Sequence, residues 1–236
     1  MPTVKTLLTL CRVSNLPTVW MNILATAVIV SAATGGSYSI GFILLALSCF
    51  YAGGMSLNDY CDRHWDAERQ PYRPIPAGRI RARSVFSLSL GLFAAGFVCL
   101  SFAPSPKGVL AGLGLVLVIA LYDILHKYHW STVLLMASTR LGVYLVTAMA
   151  LIGEVPDLVW LLGLVQMSYT LLVTVVARWE NTRPADLKVP LIPWMIAAMG
   201  LVDGIFLALV AGPVWLAVGA ATTALTRLSQ RYVRGD

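Results

Sequence analysis

Apolar runs of membrane-spanning length leave this chain few folds to choose from. A helix needs about 20 apolar residues to cross a hydrocarbon core ~30 Å thick. The sequence has eight such runs, near 16–33, 38–57, 84–103, 107–125, 131–152, 157–177, 190–210 and 212–228. Short breaks at "GGSYS", "APSPK" and "GEVPD" separate three pairs, and "AGP" at 211–213 divides the last two, where one long bent helix is the alternative. The runs are continuous rather than alternating, which disfavours a spanning β-barrel with its ~10-residue alternating segments. With 58% hydrophobic and only 12% charged residues, the chain cannot clothe a soluble domain in polar groups. The fold expected is an all-α, polytopic membrane helix bundle of about eight transmembrane helices, forming a single domain over residues 1–236.

The net charge of +6 is unevenly distributed. With the amino terminus inside, fifteen of the seventeen basic residues fall at inner helix ends; Lys107 lies outside and Arg140 lies within a span. That asymmetry follows the positive-inside rule. Both termini are expected in the cytoplasm, and the basic charge sets topology rather than marking a nucleic-acid surface. Polar residues in the first run, and no clear small-residue cleavage site after it, point to a retained helix rather than a signal peptide. Cys11, Cys49, Cys61 and Cys99 show no metal-like spacing and read as small buried apolar residues.

The hydrophilic chemistry gathers in the inner loops at 58–83 and 178–189. Residues 57–83, "LNDYCDRHWDAERQPYRPIPAGRIRAR", carry four acids and six arginines directly behind an apolar run. Asp59, Asp62 and Asp66 are spaced i, i+3, i+7, which places them within an arc of roughly 60° on a helix. Asn58 lies beside them. Pro71, Pro74 and Pro76 then stop the helix and force an extended loop. Three carboxylates at one site repel one another unless a cation is present. Either arginines pair with them, or they hold Mg²⁺, which binds through carboxylates together with substrate phosphates. Acids fused to a membrane span are costly unless used, which favours the metal. In that reading Arg63 and Arg73 neutralise a diphosphate, and a diphosphate held at a membrane's edge belongs to a lipid.

"NDYCDRHWD" fits N-D-x-x-D-x-x-x-D and resembles the first aspartate-rich motif of the UbiA superfamily of intramembrane prenyltransferases. "RPIPAGRI" is similar to that family's following R-P-I-x-x-G-x-I, and the motif stands, as in the family, after the second helix. Weaker resemblance covers most of the chain, which looks closest to a small EboC-like branch. The resemblance implies an α-helical bundle that uses Mg²⁺ to transfer a prenyl group from a prenyl diphosphate to a small hydrophobic, aromatic or lipid-like acceptor in the membrane. Asp59, Asp62 and Asp66 would be the catalytic metal ligands. The family's second aspartate-rich motif corresponds here to "ARWENTRPADLK", residues 177–188, which has no D-x-x-x-D. Either Glu180 and Asp186 supply a reduced second metal site, or Arg178 and Arg183 contact phosphate in place of the metal; a mixture of the two is the expectation.

Polar residues inside the spans complete the candidate set. Asn15, Thr18, Asn22 and Thr26 form one stripe on the first span, and Asn22 either binds substrate or joins helices. Arg140, with Tyr144 one turn later, is expected to line a substrate cavity. Asp123 and Lys127 read either as an exposed i, i+4 pair or as a lysine reaching phosphate. Gln166, Thr170, Thr174 and Arg178 form a ladder leading towards the loop. Asp203 offers only a pairing, with Arg140 as the candidate partner. His64, His126 and His129 make no zinc pattern. Two rival classes remain: a non-catalytic or transport-related lipid-binding protein on the same fold, and a CDP-alcohol phosphotransferase-like enzyme, for which "VDG" at 202–204 lacks the further spaced aspartates.

Overall fold

The computed structural model describes residues 3–181 and 191–233. Among these residues the chain forms nine α-helices and no strand: α1 (Val4–Leu10), α2 (Leu16–Thr34), α3 (Gly41–Arg69), α4 (Ala82–Leu100), α5 (Lys107–Leu125), α6 (Thr132–Ile152), α7 (Asp157–Asn181), α8 (Ile192–Ala211) and α9 (Val214–Tyr232). A 3₁₀ turn, Val13–Asn15, joins α1 to α2. Helices α2 to α8 give seven segments long and apolar enough to cross a membrane. The eighth apolar run becomes α9, which is 19 residues long. Its second half carries Arg227, Ser229, Gln230 and Arg231, so its apolar part is shorter than the sequence reading expects. The final region is two helices and not one bent one, because Gly212 takes φ +107° and Pro213 starts α9.

Helix ends follow local chemistry. Pro17 sits in the first turn of α2, where its missing N–H costs no hydrogen bond. Gly35 closes α2 and Gly153 closes α6 in the left-handed conformation that L side chains resist.

Helix α2 is the axis of the bundle. It packs against α3, α6, α7, α8 and α9. Its Thr18, Asn22 and Thr26 are all fully buried. By contrast, α5 turns Leu110, Leu113, Leu117 and Leu121 outward, and α7 does so with Leu161, Leu164 and Leu172. Such surfaces suit lipid and not water. Helices α8 and α9 cross through glycines: a Cβ added to Gly204 would lie 2.7 Å from the Cα of Gly219. Gly200 and Gly204 form a G-x-x-x-G stripe, the small-residue seam that lets membrane helices approach closely.

One end of the bundle gathers the polar segments. Arg12 reaches α3, Lys127 after α5 reaches α3, Arg178 on α7 reaches Trp130, and Gln230 on α9 reaches Asn15. The segment after α3 is a set of tight turns and not the extended loop expected from its prolines. Ala77 N–H bonds the Arg73 carbonyl at 2.9 Å, and Arg79 N–H bonds that of Pro74 at 3.0 Å. The four cysteines are free and partly buried rather than fully so. Burial pushes the Cys11 thiol above its ordinary pKa, against a weaker opposing contact from Ser56, so it is no ready nucleophile.

Candidate active site

The last three turns of α3 build the site. Asp59, Asp62 and Asp66 share one helix face, and all three are buried. Each is met by a cation. Arg73 Nη1 lies 3.2 Å from Asp59 Oδ1 and 3.0 Å from Asp66 Oδ2. Arg12 Nη2 lies 3.4 Å from Asp59 Oδ1. Lys127 Nζ lies 3.1 Å from Asp62 Oδ2, and His126 Nε2 lies 3.2 Å from Asp62 Oδ1. The turn after α3 therefore folds back because Arg73 bridges two carboxylates, held in place by its own Nε donating to Gln70 Oε1 at 2.8 Å.

Arg12 comes from an unexpected direction. It has φ +44°, a left-handed backbone that a non-glycine residue adopts only when its surroundings enforce it. Leu10, fully buried with Ile80 and Val85, anchors α1 on the loop after α3. The chain then turns sharply at Arg12, and Tyr51 donates to the Arg12 carbonyl at 3.4 Å.

On α5, Asp123 is buried and accepts from Asn58 Nδ2 at 3.2 Å. It does not pair with Lys127, which lies beyond the end of α5 and turns to Asp62 on α3 instead. Below this cluster lies an apolar cavity lined by Phe50, Tyr51, Leu115, Tyr122, Asp123 and Arg140, among others. Arg140 Nη1 donates to Asn22 Oδ1 at 3.1 Å and Nη2 to Thr18 Oγ1 at 3.2 Å. Asn22 Nδ2 in turn donates to Asp203 Oδ2, and Tyr144 donates to Asp203 Oδ1, both at 2.6 Å. Asp203 and Arg140 are thus coupled through Asn22 and do not touch.

A model of the UbiA prenyltransferase family matches residues 16–234. The chain belongs to that family. Among UbiA-family relatives, the 4-hydroxybenzoate octaprenyltransferase of Chromohalobacter salexigens is 33% identical over 159 residues, 65% of this chain and 50% of that protein. The enzyme of the same name from Marinobacter nauticus is 28% identical over 67% of this chain and 55% of its own. The bacteriochlorophyll synthase 34 kDa chain of Chloroflexus aurantiacus is 38% identical over 98 residues, 39% of this chain and 31% of its own. The chain spans about half the length of the first two. A solved structure of digeranylgeranylglyceryl phosphate synthase shares the fold, with a TM-score of 0.59, 16% identity, and coverage of 98% of this chain and 95% of that one.

Within this UbiA-family fold the sequence-predicted residues part company. Asp59, Asp62, Asp66, Asn58, Arg73 and Lys127 come together at one end of the bundle. Arg63 does not join them: its Nη1 donates to the carbonyl of Tyr60 at 2.7 Å and its guanidinium stacks over the Tyr60 ring. Asn22 and Tyr144 are fully buried in the α2–α6–α8 network, and Arg140 alone of that group lines the cavity. The threonines of the α7 ladder bond their own helix carbonyls, while Gln166 ties α7 to the Met199 carbonyl of α8 at 2.9 Å. Arg178 Nη1 lies 3.5 Å from the Trp130 carbonyl, and Glu180 stands in the last turn of α7. Arg183 and Asp186 lie outside the described residues. Sequence reasoning passed over Arg12, His126 and Asp123 as members of the cluster. His126 had a legible signal, standing three residues after an acid at the end of an apolar run.

The donor set suits a divalent cation. Carboxylate oxygens are the hard ligands that Mg²⁺ takes. Asp62 Oδ1 is buried without a hydrogen bond from any described residue, although His126 stands beside it. As the side chains stand, no three acidic, histidine or cysteine groups among the described residues converge on one point. Arg73 lies between Asp59 and Asp66.

Proposed function

We propose that this protein transfers a prenyl group from a prenyl diphosphate to a small hydrophobic acceptor within the membrane, with Mg²⁺ bound by Asp59, Asp62 and Asp66. The observation that carries the reading is the carboxylate face at the end of α3, ringed by Arg12, Arg73, Lys127 and His126, with an apolar cavity next to it that is joined to α3 through the Asn58–Asp123 hydrogen bond. Mg²⁺ would supply Lewis-acid stabilisation of the departing diphosphate. Arg12, Arg73 and Lys127 are held by carboxylates, and with a divalent cation bound there they would be free to contact phosphate oxygens. They neutralise charge that develops as the C1–O bond ionises. Glu180, Asp186, Arg178 and Arg183 are assigned to the far side of the diphosphate, as a reduced second site.

The apolar walls keep water from capturing the allylic cation. Helix positions and basic charge together support a site facing the cytoplasm, with both termini on that side. The relatives are named for different acceptors, so the acceptor is left as aromatic or lipid-like. The "VDG" aspartate of the CDP-alcohol alternative, Asp203, is taken up by Tyr144 and Asn22 deep in the bundle.

The test is binding of a non-hydrolysable geranylgeranyl thiolodiphosphate to the protein in lipid nanodiscs. Binding should require Mg²⁺ and should fail in Asp59→Asn, Asp62→Asn and Asp66→Asn, each of which remains folded. Undiminished binding in all three variants would refute the site.

A further inference from the structure

Asp123 stands next to the diphosphate site but has no task in it. Asp123 is 4% exposed. Its Oδ1 accepts from Asn58, while its Oδ2 has no hydrogen-bond partner among the described residues. An acceptor oxygen buried without a donor is costly, and such atoms in native proteins have a reason. The cavity supplies one. Asp123 lines it at the end nearest the α3 carboxylates, and it is the only acid among the lining residues. The rest of the lining is apolar or aromatic except for Thr139 and Arg140, and includes Tyr51 and Tyr122. Within a membrane span an ionisable side chain that faces a cavity is a functional group by default.

We infer that Asp123 Oδ2 receives the acceptor's proton, so the acceptor is a protic nucleophile, a phenol or an alcohol, and not a hydrocarbon. This rests on the transferase reading above. The donor's C1–O bond breaks and its electron pair leaves with the diphosphate. The acceptor oxygen, or the phenol's ring carbon, forms the new bond to C1, and the displaced proton moves to Asp123 Oδ2. Asn58 fixes Oδ1 and so aims Oδ2. Because Asn58 precedes Asp59, one segment of α3 positions both the metal-binding carboxylate and the base, Asn58 and Asp123 being 65 residues apart in sequence. A base within hydrogen-bond reach of the reacting proton is the geometry that general base catalysis requires.

The test uses 4-nitrophenol and its methyl ether, 4-nitroanisole, as probes of the full chain in nanodiscs. The wild type should bind 4-nitrophenol roughly tenfold to a hundredfold more tightly than the ether, the effect of one hydrogen bond to a charged acceptor. Its absorption should move to the red as the phenol O–H is polarised. Asp123→Asn keeps the bond from Asn58 and should lose both the preference and the spectral shift. Equal binding of phenol and ether by the wild type overturns the proposal without any variant, and so does a preference that survives in Asp123→Asn. Geranylgeranyl thiolodiphosphate binding is measured alongside. Its absence in the wild type would refute the transferase reading, whereas its retention in Asp123→Asn with lost phenol preference is the expected result.

Discussion

Replacing Arg73 by glutamine should have two opposite effects, on stability and on metal affinity. Arg73 bridges Asp59 and Asp66, with side chains 15% exposed for the arginine and 2% for Asp66. Asp59 retains Arg12 at 3.4 Å, but Asp66 has no other cation within an ion-pair distance among the described residues. Removing one partner of a buried pair costs about 3–5 kcal/mol, because the other charge stays buried and uncompensated. Arg73 is partly open to solvent and one carboxylate keeps a partner, so the lower bound applies, about 3 kcal/mol. Neutralising the orphan as well, in Arg73→Gln with Asp66→Asn, should recover most of that loss and give a coupling of about 2 kcal/mol in the double-mutant cycle. Reversible unfolding in mixed detergent micelles, with metal absent, measures each term. The same substitution removes the group that competes with Mg²⁺ for Asp59 and Asp66. Metal affinity by calorimetry should therefore rise, by up to roughly a hundredfold if the full pairing energy is released. Stability within about 0.5 kcal/mol of wild type, the range of an inert surface change, together with unchanged Mg²⁺ affinity would refute the idea that Arg73 and metal exchange places.

Tyr144→Phe removes the 2.6 Å bond to Asp203 from a network that touches the cavity only through Arg140; stability should fall by about 1–2 kcal/mol. Thiolodiphosphate binding should stay level, and a parallel loss of binding would place Tyr144 in the substrate site instead of the scaffold. In a background lacking the four native cysteines, Glu68→Cys should react with a membrane-impermeant maleimide only in inverted vesicles; labelling of intact cells would reverse the assigned orientation.

The helices were legible because the signal is long and physical: each span is a continuous apolar run closed by glycine, proline or charge. The carboxylate face was legible for a similar reason, since i, i+3, i+7 on a helix allows one outcome. What could not be read was partnership across the chain. Arg12 reaches Asp59 only because α1 anchors through Leu10 on a loop some seventy residues later, a long-range contact with no local trace. Asp123 and Lys127, at a spacing that suits an ion pair, diverge because α5 ends at Leu125 and both find partners on α3, Asn58 for the acid and Asp62 for the lysine. Asn22 visibly needed an internal partner, yet nothing in the sequence showed that Tyr144, Asp203 and Arg140 would all meet it. The shortfall in α9 had a local cause, since its polar second half was visible in "TRLSQRY".

Asn15 and Gln230 meet at 2.9 Å across 215 positions of sequence, which binds the chain's last helix to the start of its second. During synthesis the earlier helices enter the membrane first and can settle against one another long before α9 leaves the ribosome. The turn carrying Arg12, three residues before Asn15, gains a further support when Gln230 arrives, beside those from Tyr51 and Met55. Placement of Arg12 beside Asp59 is thereby coupled to the docking of α9. Without α9 the Arg12 guanidinium would be held less firmly beside Asp59, while Arg73, Lys127 and His126 would keep their places around the acids, so the last-packed helix tunes one cation of the four.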